Sequence, residues 1–385
     1  MPIALTLPGE RTIMLNLRGA LGRASLAIGF GLFFPALVLA QVAITGVSES
    51  GGQLTITGTG FGTHGDYGGS QPFLNAAWND FSAGINGGNL FLDGTNNAAW
   101  SYQTNSGRTS SKRWARKDYI ASLDDSIRRL GALALNMSGT TGTFYSTFWL
   151  RCGSNVVQAA KFWRIYGTGP ELPNVFLSIT DGYNMMSYSN VNGNPVPSTV
   201  WAIQPGPMQC ANRWERWEIY MRDTPGNDLI EVYVDGQFAF RRGSQLPSLH
   251  RDLEGSSANE RQQWVATPWG GDGHTIDFGH MVDGDFFGYS DAFVDYTRAR
   301  VELSDQPTWL LARRKEIQIP LQWSSSRVTV QANPGAFQSG QTVYVYVVDS
   351  NGNVNAAGFP YVVGSAGGGS PVSGPPAPTG LHLVP

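Results

Sequence analysis

The chain has 385 residues, enough for two domains with sizeable apolar cores. Its 48 glycines, 22 prolines and 12% aromatic content, against only 14% charged residues, describe a turn-rich all-β protein rather than a helical one. A formal net charge of −3 argues against a nucleic-acid partner, whose phosphates select a basic excess.

Residues 1–40 are expected to be a signal peptide. Arg11, Arg18 and Arg23 precede an apolar run from Ala24 to Leu39, and Val38-Leu39-Ala40 supplies the small-residue cleavage site. The run is short for a bilayer span and is interrupted by Pro35, so no stable membrane span is expected after cleavage. Removal leaves 23 basic and 28 acidic residues, a formal charge of −5, on a secreted or cell-surface product of bacterial type.

Next comes the run from Val42 to Gly62, which resembles the opening of IPT/TIG domains, small immunoglobulin-like sandwiches, with Leu54-Thr-Ile-Thr-Gly-Thr-Gly-Phe-Gly62 matching its second half. The pattern stops after about two strands, and residues 63 to 110 turn Gly- and Asn-rich. Far downstream, the run from Glu316 to Ala332 resembles the centre of the same family. The run from Gln341 to Asn355 and Phe359-Pro-Tyr-Val-Val363 resemble its closing strands around an Asn-Gly turn. The resemblance implies one Ig-like sandwich split into residues 41–69 and 313–364, with residues 70–312 inserted at an exposed loop. The alternative is a degenerate N-terminal segment plus an independent C-terminal domain. Residues 365–385 form a Gly/Ser/Pro-rich flexible tail.

Within 70–312, the runs Phe144–Arg151, Lys161–Tyr166 and Val175–Thr180 predict strands, and Asp118 to Leu130 has a helical flavour. The clearest signal spans Arg213 to Gly236. Trp217, Ile219 and Met221 alternate with Arg216, Glu218, Tyr220 and Arg222, as in a half-buried strand. Pro225-Gly226-Asn227-Asp228 reverses the chain; Ile230, Val232 and Val234 return inward with Glu231 and Tyr233 outward. Asp235-Gly236 begins another tight turn before Phe238 and Phe240. This hairpin, closing on Tyr233-Val234-Asp235-Gly236, resembles the core of concanavalin A-like jelly rolls, and Asp291 to Leu303 resembles their last strand. The implied fold is all-β: a concanavalin A-like jelly-roll sandwich inserted in, or flanked by, an Ig-like sandwich.

Cys152 and Cys210 are the only cysteines, and export permits their oxidation; a disulfide is the expectation, two buried thiols the alternative. A jelly roll carries its ligand on the concave face of one sheet, so outward strand residues are the candidates. Trp149, Arg151, Arg164, Tyr166, Glu218, Tyr220 and Arg222 combine rings that stack on sugars with donors and acceptors for hydroxyls or carboxylates. A lectin-like polysaccharide or glycan binder ranks first. A polysaccharide lyase acting on a uronate polymer, with Tyr166 or Tyr220 as catalytic group, ranks second, and a structural cell-surface or matrix protein third. The two-Glu array of retaining glucanases is absent, because Glu215 and Glu218 lie three apart on opposite faces. No cofactor is required by this reading. Calcium is the candidate ion, with Asp283, Asp285 and Asp291 as oxygen ligands, whereas the spacing of His250, His274 and His280 matches no zinc pattern.

Overall fold

The computed structural model describes residues 3–6, 12–15, 41–64, 77–80, 91–93, 100–104, 107–109, 113–118, 132–136, 143–153, 160–166, 174–180, 183–189, 201–202, 210–211, 213–222, 229–243, 263–266 and 284–365. The expectations for 119–130, the 225–228 reversal, the tail, His250, His274, His280 and Asp283 fall outside the described residues. Two units emerge, Met1–Leu39 and Ala40–Pro385. In the first, where the signal peptide is expected, β1 (Ile3–Thr6) pairs antiparallel with β2 (Thr12–Leu15).

The second unit is built from three antiparallel sheets, with a single 3-10 turn at Trp309–Leu311 among its described residues. In chain order its early strands are β3 (Ala43–Ser50), β4 (Gln53–Thr59), β5 (Ala77–Asn79), β6 (Phe91–Asp93), β7 (Trp100–Gln103), β8 (Trp114–Asp118) and β9 (Ala132–Asn136). Then come β10 (Thr143–Cys152), β11 (Ala160–Tyr166), β12 (Asn174–Thr180), β13 (Tyr183–Ser189), β14 (Trp201–Ala202), β15 (Glu215–Arg222), β16 (Leu229–Val234), β17 (Gln237–Gly243) and β18 (Gln263–Ala266). The last are β19 (Phe286–Asp295), β20 (Arg300–Ser304), β21 (Lys315–Trp323), β22 (Arg327–Gln331), β23 (Thr342–Val348) and β24 (Phe359–Val362).

One sheet runs β17-β16-β15-β10-β19-β8-β7, with β5 also on β19; a second runs β14-β13-β12-β11-β18-β9-β6. The hairpin of β15 and β16 aligns Trp217 with Val234, Ile219 with Val232 and Met221 with Ile230, so the apolar sets coincide across the pair. Phe148, Leu150, Trp217, Ile219, Val232 and Val294 are all closed to solvent on that face. The next reversal is a two-residue Asp-Gly turn: Asp235 and Gly236 have φ of 48° and 69°, as a primed hairpin turn demands. Asp235 also ties the turn to β15, its Oδ1 accepting from the Arg216 backbone N–H at 2.9 Å. Nearby, the Cys152–Cys210 disulfide joins the end of β10 to the segment before β15, with Cα atoms 5.2 Å apart.

The third sheet has the order β24-β23-β20-β21-β22-β4-β3. Strand β4 therefore pairs with β22, from Gln53 opposite Gln331 to Thr57 opposite Arg327, across more than half the chain. The sheet curls until its two edges meet, Tyr361 of β24 donating its hydroxyl to Glu49 of β3. Inside lies an apolar core that includes Leu54, Ile56, Phe61, Val301, Leu303, Trp323, Val328, Val330, Val345 and Val347. Gly58 is dictated by this closure, because a Cβ there would fall 2.0 Å from the Ala43 carbonyl oxygen.

The reading of 291–303 as one closing strand is corrected. The chain breaks at 296–299, so β19 belongs to the eight-stranded sheet while β20 pairs with β21 and β23 in the third. The alternation of Val301 and Leu303 with Arg300 and Glu302 suits β20 to a sheet whose one face is the apolar core.

Candidate functional site

Strand pairing sets Tyr145 opposite Tyr220, Thr147 opposite Glu218 and Trp149 opposite Arg216, which assembles the polar face of the hairpin into one surface. That surface is covered by β20 and β21. Tyr145, Tyr220 and Phe293 pack with Ile317 of β21, joined by Trp78 and Leu229. Beside this contact, Arg216 and Glu218 meet Arg300 and Glu302.

The two strands carry the same Arg-x-Glu pattern, and the four charges close a ring. Arg216 lies 3.2 Å from Glu218 and 3.1 Å from Glu302; Arg300 lies 3.3 Å from Glu218 and 2.5 Å from Glu302. All four side chains are 8% exposed or less, so each charge is removed from water and compensated by the two of opposite sign. Tyr145 adds a hydrogen bond from its hydroxyl to Glu218 at 2.9 Å, and Arg300 stacks 4.5 Å from the Tyr145 ring centroid. Burial would raise the Glu302 carboxyl, but Arg216, Arg300 and Lys315 outweigh it and hold that group well below the usual carboxylate range. Burial likewise pushes the Tyr145 and Tyr220 hydroxyls up. A second buried ionic group lies nearby. Arg108 binds Asp291 at 2.5 Å, pairs with Glu316, and stacks 4.4 Å from the Trp149 centroid.

The expectation that Trp149, Glu218 and Tyr220 face a ligand is thus corrected: each is 9% exposed or less. Arg108 lies over Trp149, Arg300 binds Glu218, and Arg298 lies 4.6 Å from the Tyr220 centroid. Arg151 and Arg222 are half-exposed. Arg164 and Tyr166 sit on β11, opposite Phe176 and Asn174 of β12. Asp285 and Asp291 are both buried, and Asp291 is engaged by Arg108 and by the Ser290 hydroxyl at 3.0 Å. Among the described residues no group of three His, Cys, Asp or Glu side chains is placed to hold a metal ion. Of the three calcium candidates, Asp291 is paired with a guanidinium and Asp283 falls outside the described residues.

A further contact lies beside the Asp235-Gly236 turn. A Cβ on Gly236 would fall 2.5 Å from the Ala312 carbonyl oxygen and 3.5 Å from Lys315 Nζ, so the β16–β17 turn abuts the segment between β20 and β21. Lys315 Nζ in turn lies 3.5 Å from the Trp309 ring centroid. On one side Tyr233 and Phe238 stand edge to face at 5.8 Å, Phe238 being 55% exposed. On the other, half-buried Trp309 packs edge-on against Tyr346 at 5.1 Å. Rings held in this way present faces and edges without the entropy cost of ordering a flexible side chain.

Three further groups were not singled out by the sequence patterns. His64 Nε2 lies 3.2 Å from Asp295 Oδ2, joining the points where the chain leaves and regains the third sheet. Lys117 of β8 is buried opposite Phe287, and burial pushes its ammonium down to about 7. The third is Arg300-x-Glu302 itself. Its signal was the alternation Arg300-Val301-Glu302-Leu303, the complement of Arg216-Trp217-Glu218, hidden by assigning both stretches to one sheet.

No family model matches the chain, and no curated protein matches it. Solved structures with a similar course of the chain include the alginate lyase Aly36B, at 10% identity and a TM-score of 0.34, covering 58% of this chain and 93% of the other. A carbohydrate esterase of the Shiga toxin-encoding bacteriophage phi24B follows at 9% identity and 0.37, covering 58% and 97%. The cellulose-induced protein Cip1 stands at 11% and 0.33, covering 57% and 97%. At such scores the likeness decides neither ligand nor reaction, and the chain is all-β on the strength of its own strand pairing.

Proposed function

We propose that the protein is an exported glycan-binding module whose ligand lies across the junction of the eight-stranded and third sheets. In this reading residues 41–69 and the strands from β20 onward form one Ig-like, IPT/TIG-type sandwich carrying the jelly roll as an insertion. The observation that carries the binding site is the edge-to-face pair of Tyr233 and exposed Phe238 flanking the Asp235-Gly236 turn, which abuts the segment that bears Trp309. Aromatic faces stack on the C–H faces of sugars, and each well-placed ring adds about 0.5–1.5 kcal/mol. The lyase reading through Tyr220 is not favoured, because Tyr220 is buried under Arg298 and Glu218 is held in the ion-pair ring.

The test is affinity electrophoresis of the full chain against neutral and acidic polysaccharides, with calcium and then chelator, while ultraviolet absorbance is followed. Retardation that Phe238→Ala weakens by about three- to tenfold supports the reading. Rising absorbance would replace it with the lyase. Neither signal would leave the structural cell-surface role.

A further inference from the structure

The segment between β20 and β21 is clamped at its base and bare at its tip. Asp305 Oδ1 accepts from the backbone N–H groups of Arg313 and Arg314 at 3.2 and 3.3 Å, and the Asp305 N–H donates to the Arg314 carbonyl at 3.2 Å. Within the turn the Leu311 N–H donates to Thr308 at 3.0 Å and the Ala312 N–H to Trp309 at 3.2 Å. Trp309 faces inward onto Tyr346 and Lys315, and Ala312 is fully buried against the Gly236 turn. The two side chains between them have no such cover: Leu310 is 79% exposed and Leu311 58%. Two adjacent leucines in water form a small exposed apolar surface at the tip of the segment.

The charges around them say which partner. Arg313 donates from Nη1 to the Leu310 carbonyl at 3.1 Å and to the Ala312 carbonyl at 3.5 Å, so its guanidinium sits at the foot of the leucines. Arg314 is exposed beside it, 5.9 Å from the Phe337 ring centroid. Asp305 is engaged with the backbone at the base of the segment. An apolar tip with Arg313 at its foot and exposed Arg314 next in sequence matches the layered chemistry of an anionic bilayer surface, acyl chains beneath phosphates.

We propose that the Leu310-Leu311 tip docks on an anionic phospholipid surface, the leucines entering the headgroup–acyl boundary and Arg313 and Arg314 meeting lipid phosphates. Docking is peripheral; no helix among the described residues is long and apolar enough to cross a membrane. The inference does not rest on the glycan reading: no glycan enters its test, although Trp309 of that site belongs to the same turn.

The full chain is sedimented with vesicles of phosphatidylcholine alone, and with vesicles holding about one quarter phosphatidylglycerol. The expected result is partitioning onto the anionic vesicles at least about tenfold above the neutral ones, decreasing as salt is raised. Leu310→Ser with Leu311→Ser is expected to reduce binding by about tenfold. Leu310→Ser alone, at the more exposed position, reports part of that loss with the smallest risk to folding. Arg313→Gln with Arg314→Gln is expected to abolish the anionic preference, and Phe238→Ala to leave vesicle binding unchanged. Absence of sedimentation with either vesicle, or binding that survives loss of both leucines, would overturn the proposal.

Discussion

Arg216 of β15 and Glu302 of β20 lie 86 residues apart in sequence and 3.1 Å apart in space, with side chains 1% and 0% exposed. Their contact belongs to a ring of four charges that joins two sheets, and it turns the polar face of a hairpin into an interior surface. Such pairs add little to stability against an apolar alternative, yet removing one member strands a buried charge.

Arg216→Met should therefore cost about 3–5 kcal/mol, since Glu218 and Glu302 lose a shared partner. Adding Glu302→Leu to Arg216→Met should cost less than the sum of the two single changes. Urea denaturation of the four proteins of this double-mutant cycle checks the coupling; strict additivity would show that the ring is not a unit.

Acid should weaken the same joint. Glu302 is held below its ordinary range in the folded chain, so the unfolded chain takes up its proton first as pH falls. The contribution is complete above about pH 4.3 and declines below it towards the folded value. Glu302→Gln should be less stable than the parent at pH 7 and show a flatter loss between about pH 5 and 2. Chemical denaturation at stepped pH measures both.

Lys117 has the opposite sign. Its ammonium is depressed to about 7 by burial, so between that pH and its ordinary value of about 10.4 the folded chain binds fewer protons than the unfolded. The penalty is largest below pH 7 and fades as pH rises. Lys117→Met should stabilise the protein by up to a few kcal/mol at pH 6, with the gain shrinking towards pH 10. Denaturant midpoints at pH 6, 8 and 10 test this; a gain constant with pH would contradict the assignment.

Reducing the Cys152–Cys210 disulfide frees a 58-residue separation in the unfolded chain. The loop-closure relation puts the loss at about 4 kcal/mol. Melting with and without reductant, beside Cys152→Ala with Cys210→Ala, should give matching decreases.

Strand existence and face sharing were legible in the residues. Trp217, Ile219 and Met221 occupy one side of β15 because side chains alternate along any strand, and Val232 and Val234 align with them because burial selects the register. The Asp235-Gly236 turn was legible for the same local reason: two residues at positive φ are needed there, and few pairs tolerate it. What covers each face was not local. Arg216, Glu218 and Tyr220 have the alternation of a solvated surface, and nothing within 213–236 reveals that β20 and β21 bury them. Likewise Trp149 has the composition of a sugar platform until Arg108, 41 residues upstream in the numbering, is placed over it.

Periodicity, turn chemistry and composition therefore determined that the chain is all-β, which residues share a face, and where it reverses. Tertiary structure alone decided that β4 pairs with β22, that the charged face is interior, and that Phe238, Leu310 and Leu311 are left outside. The physical reason is range. A strand's alternation is set by its own backbone, whereas the solvent exposure of either face depends on a partner that the chain brings back from tens to hundreds of residues away.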